Sequence, residues 1–176
     1  GARRSGDRPA SAYEPMKVRV LGTAAGGGLP QWNCACATCS VARSGAGRTQ
    51  DCLAISAGDG WYLLNASPDI RTQILRTAAL APGPGPRETP LRGVLLSSGE
   101  LDHTLGLMSL REAGHLAVYA RPTVLDALPW RPLLEPYGSF EWSPVPRKLG
   151  TLEIETVPVS GKREYSRFPQ RLRLPG

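Results

Sequence analysis

Six short apolar runs set the frame of this chain: MKVRVLG (16–22), CLAIS (52–56), WYLLNAS (61–67), GVLLSS (93–98), LAVYA (116–120) and TLEIETVPV (151–159). All are too short for a buried helix of ordinary length. Glycine, proline or polar turn residues punctuate them, which is the pattern of strands ending in turns. In the first run Val18 and Val20 alternate with Lys17 and Arg19, the period of a half-buried strand; in the last, Leu152 and Ile154 alternate with Glu153 and Glu155. GVLLSS lacks alternation, as expected of a strand covered on both faces. Asp59-Gly60, between the second and third runs, predicts a hairpin.

Helical patterns lie between the later runs. SPDIRTQILRTAAL (67–80) offers Ser67 as N-cap, Pro68 for the first helical position and Asp69 to complement the helix dipole, with Ile70 and Ile74 on one face. TLGLMSLREAG (104–114) reads as a second helix, and Pro122 opens a third through TVLDAL. Proline crowds 129–146, which predicts irregular structure there, and APGPGPRETP (81–90) reads as a stiff exposed loop. With 20 glycines and 17 prolines in 176 residues, short elements joined by many turns are expected. The order of elements predicts an α/β protein, a mixed sheet with helices on one face. Directly after the first run comes TAAGGG, which implies either unusual backbone dihedrals or a close approach by another group. A phosphate loop is the alternative, but GKS or GKT is absent and the G-x-G-x-x-G spacing fails.

Charge and compartment narrow the function classes. The net charge is +6, from 21 Lys and Arg against 15 Asp and Glu, and much of the excess sits in RRSGDR and KREYSRFPQRLR at the two ends. Residues 1–15 read as a disordered leader and 160–176 as a basic tail, flanking one folded unit at 16–159. No basic stripe interleaved with aromatics is present, so nucleic acid is not an expected partner. No run approaches the roughly 18 consecutive apolar residues of a membrane span. The first 15 residues lack an apolar h-region, so they do not read as a secretory signal, and a cytoplasmic location is expected.

Three of the four cysteines, Cys34, Cys36 and Cys39, fall within six positions. They are open to three readings: a metal knuckle, a disulfide pair with a leftover thiol, or small apolar residues in a turn. A reducing compartment favours metal. Zinc wants four ligands at tetrahedral angles, and C-x-C-x-x-C supplies three. Cys52 is the first candidate for the fourth and His115 the poorer one. Such a site is closed and structural. The second cluster follows GVLLSS: Glu100, Asp102 and His103 stand in ELDH, where ligands of α/β folds gather at strand ends. Carboxylate plus imidazole suits zinc or non-haem iron, although an Asp–His pair is also a common structural hydrogen bond. His115, beside Gly114, reads as a helix-end or surface residue.

VRVLGTAAGGGLPQWNCACATC, RTQDCLAIS, LLNASPDIR and ELDHTLGLMSLRE together resemble the coenzyme PQQ synthesis protein B family, from Met16 to about Val159. That family lies in the metallo-β-lactamase-like superfamily. The resemblance implies the first half of an αββα sandwich and a part in making pyrroloquinoline quinone (PQQ), which is built from a Glu and a Tyr of a precursor peptide. It implies one of two roles: a metal-dependent hydroxylase or oxygenase acting on the tyrosine-derived part of the precursor, or a non-catalytic carrier that transports the quinone or its precursor. The superfamily motif H-x-H-x-D-H falls on Ser98, Glu100, Asp102 and His103, so both leading histidines are missing. This leaves Asp102 and His103 to hold a catalytic iron or zinc, and Cys34, Cys36 and Cys39 to hold a structural zinc. The missing ligands argue against two-metal hydrolysis. Family members continue well beyond this chain. It is therefore expected to be truncated and inactive as a hydroxylase on its own, an inert fragment at the extreme, or a homodimer through an uncovered sheet face.

Overall fold

The computed structural model describes residues 16–56, 58 and 60–159; the leader, the basic tail and Asp59 lie outside the described residues. Six strands form one sheet in sequence order: β1 (Lys17–Gly22), β2 (Cys52–Ser56), β3 (Trp61–Leu64), β4 (Leu91–Leu95), β5 (Leu116–Ala120) and β6 (Phe140–Pro144). The first three pair antiparallel, and β3 to β6 run parallel. Parallel neighbours need crossovers, and these are short helices: α2 (Ile70–Leu75) before β4, α3 (Leu101–Thr104) and α4 (Leu107–Leu110) before β5, and α5 (Pro122–Leu125) and α6 (Arg131–Leu134) before β6. An earlier helix, α1 (Ala37–Val41), carries the end of the cysteine loop. The mixed sheet with helices on one face is the expected α/β architecture.

The two faces of the sheet differ. Cys52, Ala54, Leu63, Val94 and Val118 point toward the helices and pack with Ile70, Leu107, Leu125 and Leu134 into the main core. The cross-strand partners Val18, Ile55 and Tyr62 form one row of the opposite face, and Val20, Leu53, Leu64, Leu95 and Tyr119 form the next. A small hairpin, β7 (Lys148–Leu149) with β8 (Leu152–Glu153), covers part of this face, packing Leu149, Leu152 and Ile154 on Tyr62, Leu95 and Tyr119. At the β1 edge the cover runs out. Val18 is 47% exposed and Val20 63%, so their alternation marks one side of a strand that is not half-buried here.

Other expectations need correcting. Phe140–Pro144 is a strand, not irregular: it forms the outermost strand, where a proline's missing N–H costs no ladder bond, and Phe140 and Trp142 pack against the core. The 104–114 helix is two short turns meeting at Gly106. Only two residues of TLEIETVPV pair as a strand. Ser67 does not cap α2 through its side chain. It is fully buried, so its hydroxyl must find a partner, and it donates to Gln73 Oε1 at 3.2 Å.

Candidate metal centres

The loop after β1 answers the three-glycine question twice over. Gly28 has φ +70°, the left-handed region that favours glycine. Gly26 leaves room for Asp102: a Cβ there would stand 2.9 Å from Asp102 Oδ2. The Gln50 amide Nε2 donates to the Gly26 carbonyl, and the Gln50 backbone N–H donates to Asp69 Oδ2 at 3.0 Å. The glycine run is therefore a close wall for an acid.

Asp102 and His103 sit at the start of α3, beyond the carboxyl end of β4. With Glu100 they offer three ligand atoms within 4.8 Å of one another. Glu100 is thus brought into the set, one donor more than Asp102 and His103 alone. Ser98, which stands where a histidine ligand was expected, instead engages the imidazole: its Oγ lies 2.7 Å from His103 Nδ1. With Nδ1 occupied, Nε2 is the nitrogen left for a ligand, the arrangement by which a neighbouring group fixes a metal-binding ring.

Asn65 is a contributor that pattern reading passed over. It has φ +66°, a region asparagine tolerates better than most residues. Buried at the end of β3, it accepts at Oδ1 from both the N–H and the hydroxyl of Ser97, each at 2.9 Å. The Ala66 N–H donates to the His103 carbonyl at 2.7 Å, and the Gly106 N–H donates to the Ala66 carbonyl at 2.8 Å. Backbone bonds from Ala66 therefore hold the C-terminal end of the α3 turn and the step from it into α4. The local signal was NAS itself, a small polar corner between a buried strand and a helix.

The cysteines form the second group. Cys34, Cys36 and Cys39 also place their ligand atoms within 4.8 Å of one another, and no disulfide joins them. Tetrahedral zinc with bonds of about 2.3 Å needs sulfurs roughly 3.8 Å apart, a span this loop meets with little movement. The turn is set by Cys34 N–H to the Gln31 carbonyl at 3.2 Å and Ser40 N–H to the Cys36 carbonyl at 2.9 Å. A hydrogen bond from the Cys39 backbone, with contributions from the Cys34 and Cys39 side chains, lowers the Cys36 thiol to about 7. Cys39 is pulled down by the Gln31 backbone, but burial and its two sulfur neighbours leave it raised.

Neither candidate for the fourth ligand joins this set. Cys52 is fully buried in β2, its Sγ 3.3 Å from the Asn65 carbonyl, and burial pushes its thiol up to about 12. It is a core residue. His115 is exposed and pairs with Glu141 at 3.5 Å across β5 and β6, a surface role. Among the described residues the cysteine group has three members.

Comparison with known proteins follows the same lines. Residues 60–172 match the family model described as the beta-lactamase superfamily domain. Coenzyme PQQ synthesis protein B of Rhodopseudomonas palustris (strain BisB5) is 50% identical over 117 residues, covering 64% of this chain and 38% of that protein. The same-named protein of Methylobacterium radiotolerans is 48% identical over 118 residues, covering 64% and 40%. The chain thus spans about two fifths of the length of these relatives. The crystal structure of Zn2+-bound PqqB from Methylobacterium extorquens superposes with TM-score 0.69 at 39% identity, over 74% of this chain and 46% of that one. A diphosphatase of the PhnP family superposes with TM-score 0.61 at 20% identity, over 76% and 52%, a likeness of fold alone.

Proposed function

This chain belongs to the beta-lactamase superfamily, and we propose that within it the protein serves the making of pyrroloquinoline quinone. The observation that carries the proposal is the 50% identity over 117 residues with coenzyme PQQ synthesis protein B. The reaction class favoured is a metal-dependent oxygenation of the tyrosine-derived part of a Glu- and Tyr-containing precursor. Asp102 and His103, with Glu100 beside them, would hold the metal. Two carboxylates and an imidazole form a hard donor set that suits iron or zinc. An ion held there supplies Lewis acidity and, if it is iron, one-electron chemistry with oxygen. The chain's own part is positional: Ser98 orients the imidazole, Gly26 leaves space for the Asp102 carboxylate, and the 65–66 corner holds the turn that carries both.

Cys34, Cys36 and Cys39 would hold a zinc ion away from this chemistry, as a closed structural site holds its metal. A carrier of the quinone or its precursor is the second reading, favoured by Ser98 and Glu100 standing where the superfamily motif has histidines.

Metal titration tests the sites separately. Two metal equivalents are expected, with zinc lost in Cys36→Ser and the other ion lost in Asp102→Asn and His103→Ala. Oxygen uptake by the iron-loaded chain then divides the roles. Precursor-dependent uptake that vanishes in His103→Ala supports the oxygenase. Saturable precursor binding without uptake is expected of a carrier and equally of a chain spanning two fifths of an oxygenase, so it supports the shared biosynthetic role alone. A chain that shows neither binding nor uptake would refute the proposal for this chain.

A further inference from the structure

A cavity of about 360 Å³ lies between the end of β1, the 47–49 segment and the end of α2. It is lined by Arg48 and Arg76 and by no acidic residue. Neither guanidinium has an ion pair or side-chain hydrogen bond among the described residues. Both side chains are exposed, and two cations on one concave surface with no acid among its lining residues give it a positive potential that favours an anion there. Arg guanidinium is also the group best shaped to bind a carboxylate or phosphate through paired N–H donors.

The walls are fixed before any ligand arrives. Gln73 is 2% exposed, and both ends of its amide are committed: Oε1 accepts from Ser67, while Nε2 donates to Thr49 Oγ1 at 3.1 Å and to the Gln50 carbonyl at 2.7 Å. The Thr49 hydroxyl donates to the Leu21 carbonyl at 2.9 Å, and the Thr49 carbonyl accepts from Thr23 and Ala24. Arg48 is held by paired backbone bonds with Leu29, of 3.0 and 2.6 Å. Gly22 admits no side chain, since a Cβ would stand 1.9 Å from the Gln50 carbonyl. What remains free to bind is the pair of arginines and the exposed Thr23 hydroxyl. The volume is of the size that takes a small molecule and not merely a counter-ion.

We propose that the Arg48–Arg76 cavity is a binding site for a small multivalent oxyanion, a polycarboxylate or a phosphate compound. The site stands apart from both metal-ligand clusters and does not depend on the biosynthetic reading above. Calorimetric titration of the whole chain with citrate and, separately, with inorganic phosphate at low ionic strength tests it. Saturable binding of one molecule per chain is expected from at least one probe. Citrate alone identifies a carboxylate ligand, phosphate alone a phosphate ligand, and both together a site selecting charge over shape. Arg48→Gln and Arg76→Gln should each weaken binding at least tenfold, through loss of a charge-assisted pair of hydrogen bonds. Arg71→Gln, on the same helix but outside the cavity, should leave it unchanged. Amide shifts on titrating the unmodified chain should centre on Thr23, Arg48 and Arg76, which keeps the test independent of how the variants fold. No binding of either probe, binding indifferent to both arginine substitutions, or shifts centred elsewhere would overturn the proposal.

Discussion

Gly106→Ala is the sharpest probe of how the α3 turn is held. A Cβ at this position would stand 2.2 Å from the Ser67 carbonyl oxygen, 2.6 Å from the Ala66 oxygen and 2.7 Å from the Ala66 carbonyl carbon. All three are backbone atoms of the corner between β3 and α2, so no side chain can swing aside. The backbone at Gly106 is ordinary right-handed (φ −60°, ψ −22°), so the penalty is contact alone and not dihedral strain. Relief requires moving α4 away from residues 66–67, which breaks the 2.8 Å bond from the Gly106 N–H to the Ala66 carbonyl. Overpacking costs typically 1–3 kcal/mol and a lost buried backbone bond about 1 kcal/mol, giving about 2–4 kcal/mol together. For a domain of this size that is a fall in Tm of roughly 5–15 °C. Gly114→Ala is the matched control, since its Cβ would meet nothing within 4 Å, and its expected change is under about 0.5 kcal/mol. Thermal and urea unfolding of the three proteins read the difference. A Gly106→Ala variant as stable as the Gly114→Ala control would refute the packing of this corner.

The remaining predictions concern thiols, core and chemistry. In the metal-free chain Cys36, near 7, is about half thiolate at pH 7 against roughly 1% for a thiol at 9. The lower nucleophilicity that accompanies a lower pKa returns about tenfold, so alkylation should run about fivefold faster than for an ordinary exposed thiol. That advantage should vanish near pH 8 and reverse above about pH 9, where both are ionised and the less basic Cys36 thiolate is the weaker nucleophile, and mass spectrometry of partly alkylated protein would read it. Cys52, buried and raised to about 12, should stay unmodified until the protein unfolds. Leu63→Ala, at a fully buried site in the main core, should cost about 2–5 kcal/mol in urea unfolding, whereas Val20→Thr on the exposed β1 edge should stay within about 0.5 kcal/mol. With Ser98 and Glu100 in the motif, the purified chain should show no zinc-dependent hydrolysis of β-lactam, phosphodiester or thioester substrates, and robust turnover of any one would contradict the ligand count.

What the sequence disclosed follows the reach of each signal. Strand runs bounded by turn residues are local, and β1 to β5 fall where the apolar runs lie. Phe140–Pro144 was hidden because Pro144 and the prolines flanking the strand read as breakers, yet the outermost strand of a sheet leaves the missing N–H of Pro144 without consequence. Val18 and Val20 misled for the opposite reason: alternation reports which side of a strand is apolar, not whether anything covers that side. The proximity of the two candidate ligand groups was legible because Cys34, Cys36 and Cys39, like Asp102 and His103, are close in the chain, where short separation alone forces proximity. Cys52 needed the tertiary structure, since residue type marks a thiol as a ligand candidate while only its place in β2 marks it as core.

One corner, residues 65–69, explains why the acid–imidazole cluster is built on so little regular structure. α3 is four residues long and cannot hold its own shape, because short helices in water are marginal. Its order must be imported, and this corner supplies it. Asn65 binds Ser97 at the exit of β4, Ala66 takes the His103 carbonyl and the Gly106 N–H, Ser67 anchors Gln73 of α2, and Asp69 takes the Gln50 N–H. Gln50 in turn binds Gly26, whose missing side chain makes room for Asp102. The path from the 65–69 corner back to the candidate ligands closes through hydrogen bonds and one steric gap, with no long element in it. A left-handed Asn65, a serine with no solvent and a glycine with no space for a methyl group are each poor choices for local structure. They are consistent with one another as parts of one packed corner, and that corner holds the turn carrying Asp102 and His103.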